Sequence, residues 1–376
     1  MSFHLVTRHL PRLDSVRGLA ALVVAASHIW PLYLDHTWSV IIDGRIAVTI
    51  FFVLSGLVLG MSLRRGGALT FQTFGKFWTR RFFRIYPAYF VCTIPYLFMQ
   101  LLLIERVLQG KFIGEGHFNE HYHLDNPVFP SIWETVENFT FLKQDLNGVT
   151  WTLKVEAQAA LIFPFLHLYS SLVRWKGKVL MLLALIVLSI FSPGNTGLTL
   201  WLFYGGYLLP LALKRLGDLQ WKMENFVFFL LLASVMATFV ASHPFSHYGA
   251  ERHPAYLLAG TGAIILLGLV LADFNPHSSF FRVLDFPVFR FMGAISYSFY
   301  LLNIVCQDAT HRILTSIPVI ASFEKQSMAA LFFFFVVGTL VTTAMATLSH
   351  RFIERPFIKF GARFYQDGAQ PEPIAR

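Results

Sequence analysis

Charged side chains are scarce in this sequence, at 14% of 376 residues, and cysteine occurs twice. A water-soluble domain carries about 25% charged residues, so the low charge excludes an ordinary soluble enzyme. Two cysteines cannot build the disulfide framework of a small secreted domain; Cys92 and Cys306 lie in apolar runs and are interpreted as buried thiols. No cluster of residues has metal-ligand spacing, so no metal is predicted. The apolar run after Arg17 lacks a small-residue cleavage site, so no cleavable leader is expected.

Apolar residues, in contrast, make up 55% of the chain, with 40 Phe, 13 Tyr and 8 Trp, and the mean hydropathy is +0.57. This much aromatic surface demands burial and excludes disorder. The lipid bilayer is the obvious place to bury it. The net charge of +9 could indicate a nucleic-acid partner, but in a membrane protein it more often reflects cytoplasmic loops rich in Arg and Lys. No nucleic acid is therefore expected.

Ten segments approach the ~20 mostly apolar residues of a spanning helix. They lie at about residues 18–34, 46–63, 85–104, 150–173, 179–193, 198–213, 225–243, 254–272, 288–307 and 327–348. The fifth and sixth are short, and the Pro193-Gly194-Asn195 break between them would also suit a re-entrant hairpin. The sequence predicts an all-α integral membrane protein with one domain over residues 1–376.

The distribution of basic residues predicts the orientation of this bundle. If both termini are cytoplasmic, 22 of the 30 Lys and Arg residues fall in inside segments and seven in outside segments. This bias has the sign of the positive-inside rule. We therefore predict ten spans with cytoplasmic termini and a basic cytoplasmic tail over 349–376.

Arg17 and His28 lie eleven residues apart on the first predicted helix. Eleven steps of about 100° bring both side chains to one face, with a rise of about 16 Å. Arg17 would then lie at the cytoplasmic rim, where a fixed cation suits phosphate. His28 would lie near the middle of the bilayer, where an imidazole can accept a proton. The alternative is a snorkelling arginine and a histidine that only bonds between helices, and the spacing leaves both interpretations open.

Arg81 and Arg84 follow Arg80 in a basic segment before the third span. In a helix, the two are one turn apart and can face one anionic ligand, which suggests a clamp for phosphates. Composition alone favours the simpler interpretation, a positive-inside anchor.

Thr152 and Glu156 are spaced i, i+4 near the outer end of the fourth span, next to Trp151. They therefore share a helix face. A carboxylate at this place can orient an imidazole, bind a sugar hydroxyl or pair with a cation. The alternatives are a simple pair with Lys154 or a side chain that snorkels outward.

Polar residues in two other spans have a similar status. Ser55-Gly56 in the second span permits close helix approach, which is the favoured role, while the Ser55 hydroxyl is a candidate ligand contact. Tyr297 and Asn303 belong to the hydroxyl-rich stretch ISYSFYLLN. They could line a polar cavity or only tie helices together.

These residues resemble the motifs of the acyltransferase 3 family, integral membrane acyltransferases of the O-antigen and exopolysaccharide acetyltransferase type. The similar segments, in order across about residues 13–356, are LDSVRGLA (13–20) with His28, FFVLSG (51–56), RFFRIYP (81–87), WTLKVE (151–156), ISYSFYLL (295–302) and ERP (354–356). Singly most are weak, but together they are a strong signal. Thr152 replaces the serine of the family motif. Asn303 stands where the family often has histidine, and asparagine cannot carry a proton at neutral pH.

The resemblance implies transfer of an acyl group, commonly acetyl from acetyl-CoA, to a carbohydrate hydroxyl. Arg17, Arg81 and Arg84 would hold the phosphates of acyl-CoA at the inner rim. His28 would act as general base or carry the acyl group covalently, with Glu156 orienting it or binding the acceptor. The other candidate acceptor contacts are Ser55, Trp151, Thr152, Tyr297 and Asn303.

The expected acceptor is a cell-surface or lipid-linked glycan at a bacterial cytoplasmic (inner) membrane, with membrane lipid around the protein and glycan-assembly proteins as candidate partners. Two alternatives remain open. One is a proton-coupled transporter or flippase of a lipid-linked sugar, in which His28 and Glu156 form a proton relay. The other is an acyltransferase whose acceptor is a small cytosolic product.

Overall fold

The computed structural model describes residues 11–30, 43–67, 70–110, 128–144, 146–192, 194–218, 225–242, 252–272, 280–321 and 328–363. Within these ranges every regular element is helical. The helices are α1 (Pro11–Ile29), α2 (Gly44–Arg65), α3 (Phe71–Leu108), α4 (Ile132–Phe139), α5 (Trp151–Leu172), α6 (Trp175–Phe191), α7 (Asn195–Asp218), α8 (Asn225–Ser242), α9 (Arg252–Ala272), α10 (Pro287–Thr315), α11 (Met328–Ser349) and α12 (Arg355–Arg363). Shorter turns include Gly148–Thr150, Phe280–Asp285, Pro318–Ala321 and the π-helical turn His350–Glu354.

Six helical segments are long and apolar enough to cross a membrane: α2, α3, α7, α9, α10 and the continuous segment from α11 through α12. The protein is therefore an all-α integral membrane protein. Each of the ten predicted spans coincides with a helix. The remaining four helices do not meet this criterion. Helices α1 and α5 carry charged residues near their N-termini, α6 has 17 residues, and the apolar stretch of α8, Leu230–Ser242, is shorter still. The count of ten spans and the cytoplasmic termini stay predictions.

Two helices extend beyond the predicted spans on their N-terminal side. Helix α1 begins at Pro11 and not near residue 18, and α3 begins at Phe71 and not near residue 85. Both added segments are rich in Arg. Arginine lowers the mean hydropathy, so a hydropathy criterion ends the predicted span there although the helix continues. The Thr70 side chain accepts a hydrogen bond from the backbone N–H of Thr73 at 3.2 Å and caps α3. Residues 31–34 of the first predicted span lie outside the described residues.

The outer surface of the bundle is apolar. Helix α6 illustrates this, because large aliphatic and aromatic side chains cover its exposed side: Leu180, Leu183, Val187, Leu188, Ile190 and Phe191. A water-soluble protein rarely exposes so continuous an apolar face. This surface is what a helix in contact with lipid requires.

Glycines bring α1 and α10 into backbone contact. A Cβ on Gly293 would lie 2.0 Å from the carbonyl oxygen of Asp14, and one on Gly18 would lie 2.6 Å from the Gly293 nitrogen. Only glycine permits this approach. The close crossing places Arg17, one residue before Gly18, directly beside the start of α10.

Helices α3 and α10 run in the same direction and are joined by tyrosines. The Tyr297 hydroxyl donates to the carbonyl oxygen of Ile85 at 2.7 Å, and the Tyr96 hydroxyl donates to that of Leu301 at 2.9 Å. The second contact lies nearer the C-terminus than the first on both helices, as expected for parallel helices. They fix the register between the arginines of α3 and the hydroxyl-rich stretch of α10.

Helix α5 runs against α3, since Glu156 faces Arg81 and Ala160 faces Trp78 further toward the start of α3. The second contact has a specific cause. Pro164 has no N–H, so the carbonyl oxygen of Ala160 loses its usual helical partner. The Trp78 indole N–H donates to that oxygen at 3.1 Å. This bond fixes α5 against α3 one turn from Glu156.

The first part of the predicted basic cytoplasmic tail, residues 349–363, packs against the bundle. After α11 ends, the π-helical turn carries Glu354 into the interior, where only 4% of it is exposed. Helix α12 then packs on α3, with Phe357 and Phe360 against Phe83 at ring-centroid distances of 6.5 and 5.2 Å. Residues 364–376 of the predicted tail lie outside the described residues.

Candidate functional site

A cavity opens between α1, α2, α3, α5, α10 and the π-helical turn. Counted out to its mouth, it encloses about 810 Å³. Seven of the ten site residues predicted from the sequence lie on its wall: Arg17, Ser55, Arg81, Arg84, Thr152, Glu156 and Tyr297. Five helices thus contribute predicted residues to one space.

Three arginines form the cationic part of the wall. Arg17 comes from α1, and Arg81 and Arg84 come from one turn of α3, as their spacing predicted. Arg81 is 8% exposed, whereas its neighbour Arg80 is exposed and lies off the wall. The wall carries two carboxylates, Glu156 and Glu354, so its formal charge is positive. A partly enclosed site with excess guanidinium groups is suited to bind an anion.

Glu156 accepts a hydrogen bond from the Ser55 hydroxyl at 3.1 Å and lies 3.9 Å from the Arg81 guanidinium. The predicted alternative, a pair with Lys154, is absent among the described residues. The Lys154 ammonium instead donates to the carbonyl oxygen of Leu142 at 3.1 Å. Glu156 therefore links α2, α3 and α5 at the centre of the wall. Ser55 faces the cavity while Gly56, next to it, packs against α7.

Thr152 lies one helical turn before Glu156 and bonds to α10. Its hydroxyl and that of Tyr300 are 2.9 Å apart, and both lie within hydrogen-bond distance of the carbonyl oxygen of Val149, so one hydroxyl donates to that oxygen and the other donates to the first hydroxyl. Trp151 does not line this cavity. Its ring packs edge-on against Phe52, a residue of the cavity wall, at a centroid distance of 6.1 Å.

Asn303 is fully buried on α10 and lies off the cavity wall. Its amide donates to the carbonyl oxygen of Tyr300, and its Oδ1 atom has no hydrogen-bond partner among the described residues. An unsatisfied amide oxygen in an apolar interior is costly. The structure therefore gives Asn303 a place in the helix core, and its predicted contact with substrate stays a prediction.

His28 lies near the end of α1, on the same helix as Arg17, as predicted. It is half-buried and is not part of the cavity wall. The helical rise from Arg17 to His28 is about 16 Å, so the imidazole lies well beyond the cationic end of the cavity. The structure brings Glu156 together with the arginines, while the role of His28 stays a prediction.

Glu354 is a wall residue that the sequence analysis did not select. Its Oε2 atom accepts hydrogen bonds from the Ser298 hydroxyl at 3.1 Å and from His350 Nδ1 at 3.0 Å. The sequence did contain a signal, because this acid belongs to the ERP segment that resembles a family motif. Its place among basic residues led the sequence analysis to include it in the basic cytoplasmic tail. The π-helical turn that points Glu354 inward could not be predicted from hydropathy.

The described residues contain no group of three His, Cys, Asp or Glu side chains arranged to hold a metal ion. The cavity can instead bind an anion through its arginines and hold a hydroxyl group against Glu156 or Thr152. Fold and site together define a polytopic helical membrane protein with a cationic cavity inside the bundle.

A family model described as an acyltransferase domain matches residues 10–348. The chain therefore belongs to the acyltransferase 3 family. The match spans α1 to α11 and includes every residue of the cavity wall except Glu354.

Three relatives are similar over most of this chain. The YrhL protein of Bacillus subtilis is 26% identical over 95% of the chain and 56% of its own length. The peptidoglycan O-acetyltransferase OatA of Listeria monocytogenes is 25% identical over 96% of the chain and 58% of its own length. The ORF330 protein of Acidianus two-tailed virus is 25% identical over 79% of the chain and 83% of its own length. The chain thus spans little more than half the length of YrhL and OatA. No solved structure matches it.

Proposed function

We propose that this chain transfers an acyl group, in the first instance acetyl, from acyl-CoA to a hydroxyl group of a carbohydrate. The observation that carries the proposal is the convergence of Arg17, Arg81 and Arg84 on one cavity wall. Acyl-CoA has three phosphoryl groups and is therefore a strong ligand for clustered guanidinium groups. Family membership supports acyl transfer, and the name of OatA supports a carbohydrate acceptor such as peptidoglycan.

The arginine end of the cavity would face the cytoplasm. Helix α3 runs against α5, and α5 runs with α2, so the start of α3 and the end of α2 lie at one end of the bundle. The start of α1 and the end of α11 lie at the same end. The exposed basic residues at this end include Arg65, Arg80, Arg355 and Lys359, and the partly exposed Arg64 and Lys76 lie at the same end. The positive-inside rule places such an end in the cytoplasm, where acyl-CoA is available. In a bacterium the membrane would be the cytoplasmic (inner) one.

Acyl transfer needs a general base and a path along which the pantetheine arm of acyl-CoA can reach it. With its phosphates at the arginines, the pantetheine arm of acyl-CoA would extend along α1 toward His28, over the rise of about 16 Å. His28 would take the proton of the acceptor hydroxyl while the hydroxyl oxygen attacks the thioester carbonyl carbon. The C–S bond then breaks, and the proton passes from the imidazole to the departing thiolate. The products are an O-acyl ester and CoA with a free thiol.

Glu156 would serve the acceptor side of this reaction. Its carboxylate already accepts a hydrogen bond from the Ser55 hydroxyl and lies within 3.9 Å of Arg81. A sugar hydroxyl can donate to the same carboxylate. Thr152 and Tyr300, about one turn of α5 further from Arg81, would then border the acceptor.

The first test compares two adjacent arginines. Arg81→Gln should raise the KM for acetyl-CoA about tenfold, because a buried charge-assisted contact to phosphate is lost. Arg80→Gln removes the same charge from an exposed position and should leave that KM within about twofold. The measurement is CoA thiol release by the purified full chain with a glycan acceptor. Equal effects of both variants would show that general surface charge, and not the cavity, binds the donor.

The second test concerns His28. His28→Ala should reduce acyl transfer by about 10³-fold or more, because general acid–base or nucleophilic catalysis is lost. The KM for acetyl-CoA should change little. Retained activity would refute the mechanism. Movement of a lipid-linked sugar across the membrane with no thiol release in the unaltered protein would instead establish the transporter alternative.

A further inference from the structure

The last turn of helix α1 carries His28 and is joined to α10 by a hydrogen bond. The Gln307 amide nitrogen donates to the carbonyl oxygen of Ala25 at 3.2 Å. A carbonyl oxygen has two lone pairs, so it can accept this bond in addition to its helical one. Ala25 lies three residues before His28, and α1 ends at Ile29. The bond therefore ties the turn that carries the imidazole to a neighbouring helix.

This turn needs such a contact because it is the end of a helix. The last four carbonyl groups of a helix have no donor within it, and helix ends fray. A catalytic imidazole, in contrast, must be held within about 0.5 Å of its productive position, since a displacement of about 1 Å can lower the rate about 100-fold. Ile29 packs against Leu331 and Phe334 of α11. The hydrogen bond from α10 adds a fixed direction to this apolar packing.

The Gln307 side chain is itself closely held. It is 1% exposed, and α11 passes directly over it at Gly338. A Cβ atom on Gly338 would lie 3.1 Å from the Gln307 Cγ atom, closer than an ordinary van der Waals contact. Glycine at this position therefore lets α11 enclose the glutamine. A side chain packed in this way has little freedom to move, so it can transmit the position of α10 to α1.

Stability alone does not explain a glutamine at this place. The Oε1 atom of Gln307 has no hydrogen-bond partner among the described residues. A buried acceptor without a donor is costly, whereas an apolar side chain of the same shape can be neutral or stabilising. An aliphatic residue would fill the space without that cost. The amide N–H group that bonds to Ala25 is therefore the feature that requires a reason.

We propose that Gln307 is a positioning residue for His28. By holding the last turn of α1 against α10, it sets the place at which the imidazole meets the acceptor hydroxyl and the thioester. Gln307 lies off the cavity wall and outside the segments that resemble the family motifs. The inference rests on the proposed function for the role of His28 as the base.

The variant Gln307→Met tests the proposal, because methionine has a similar length and cannot donate a hydrogen bond. We expect kcat for acyl transfer to fall about tenfold, since the imidazole is displaced. The KM for acetyl-CoA should change less than twofold, because the arginine cavity is untouched. The melting temperature should stay the same or rise, since an unsatisfied buried oxygen is removed. A lower melting temperature with an unchanged kcat of the folded protein would overturn the proposal.

The double variant His28→Ala, Gln307→Met separates positioning from an independent role. If Gln307 acts only through the imidazole, its replacement should lower the residual rate of His28→Ala less than twofold. A further tenfold loss would also overturn the proposal. The matched control is Thr310→Val on the same helix. The buried Thr310 hydroxyl donates to the carbonyl oxygen of Cys306 within α10 at 2.6 Å, so kcat should stay within about twofold.

Hydrogen–deuterium exchange gives a measurement that needs no turnover. Gln307→Met should speed exchange of the backbone amides at the end of α1 severalfold, and Thr310→Val should not. Equal exchange in both variants would contradict the proposal. If the unaltered chain transfers no acyl group to any acceptor, or if His28→Ala stays active, the proposed function fails. Faster exchange in Gln307→Met would even then support the role of Gln307 in holding the turn that carries His28.

Discussion

In the half of the bundle formed by α7, α8 and α9, several serine and threonine hydroxyls are satisfied within their own helix, whereas in the half around the arginine cavity two serine hydroxyls bond to carboxylates on other elements. In α7 to α9, the hydroxyls of Thr199, Thr238, Ser242 and Thr261 each donate to a carbonyl oxygen three or four residues earlier in the same helix. Around the cavity, three hydroxyls bond between elements: Ser55 to Glu156, Tyr297 to Ile85, and Ser298 to Glu354.

This difference shows that a polar residue within a membrane span does not by itself mark a functional site. A hydroxyl that bonds to its own helix is satisfied locally and carries no information about the neighbouring helix. A hydroxyl that bonds to a carboxylate on another helix fixes the position of a group that can bind substrate. Helix α7 also has hydroxyls that bond to another helix, as Thr196 does to Gln158, so the carboxylate acceptor is what distinguishes the cavity among the described residues.

Among the residues of the cavity wall, the largest expected effect comes from Glu156, where three helices meet. Glu156→Gln keeps the size of the side chain and one acceptor oxygen, but it removes the charge that faces Arg81 and a substrate hydroxyl. We expect acyl transfer to fall about 100-fold, which is about 2.7 kcal/mol. Rates of CoA release and the melting temperature of the purified protein are the measurements.

A control for this prediction is unchanged insertion and an unfolding temperature close to that of the unaltered protein. If Glu156→Gln instead lowered stability and left the specific activity of the folded fraction intact, Glu156 would be a structural link between helices. The distinction between the two halves would then fail at its central residue.

A matched pair of threonines sharpens the comparison. Thr152→Val removes a hydroxyl that contacts Tyr300 on the cavity wall, and Thr199→Val removes a buried hydroxyl that bonds only within α7. We expect Thr152→Val to lower kcat/KM for the acceptor about tenfold, or about 1.4 kcal/mol. Thr199→Val should leave kcat/KM within about twofold, since no partner on another helix loses its bond. Similar activity in both variants would contradict the assignment of Thr152.

Much of this cavity wall could be predicted from the sequence, because the residue patterns that indicate it lie within single helices. The i, i+4 spacing of Thr152 and Glu156 and the turn between Arg81 and Arg84 are properties of single helices, and the structure places both pairs on the cavity wall. Glu354 was missed because its position depends on a π-helical turn and on α12 returning to α3. Those features arise from tertiary packing, which periodicity does not report.

Other residues show the same limit. The close crossing of Gly18 and Gly293 joins positions 275 residues apart in the chain, so no local pattern pairs them. The recess between α5 and the start of α7 could not be predicted either, because Gln158 and Thr196 meet only when α5 and α7 pack. The sequence predicted Trp151 as an acceptor contact but not the separate space that it borders. Sequence reasoning therefore identified faces of helices, and packing decided which faces enclose a site.

The smallest expected effect concerns the ion pair between Arg12 and Asp285 at the start of α1. The Arg12 guanidinium donates to both carboxylate oxygens of Asp285 at 2.8 to 3.2 Å, which fixes the start of α1 to the segment before α10. These hydrogen bonds lower the pKa of Asp285 below its ordinary value. Because the Asp285 side chain is 37% exposed, solvent screens the pair, and Asp285→Asn should cost only about 0.5 kcal/mol.

The sign of its pH dependence follows from the lowered pKa of Asp285. A carboxylate whose pKa is depressed in the folded state stabilises the fold above its unfolded pKa and loses that contribution as the pH falls through the folded value. The melting temperatures of the unaltered protein and of Asp285→Asn should therefore differ by a small and constant amount from pH 5 to 7. The difference should begin to shrink below about pH 4 and vanish once the pH falls below the lowered pKa of the folded state. A difference that grew on acidification would mean that Asp285 is held by something other than its ion pair. Since Asp285 lies outside the cavity wall, acyl transfer at pH 7 should be unchanged, which separates this anchor from the charges of the site.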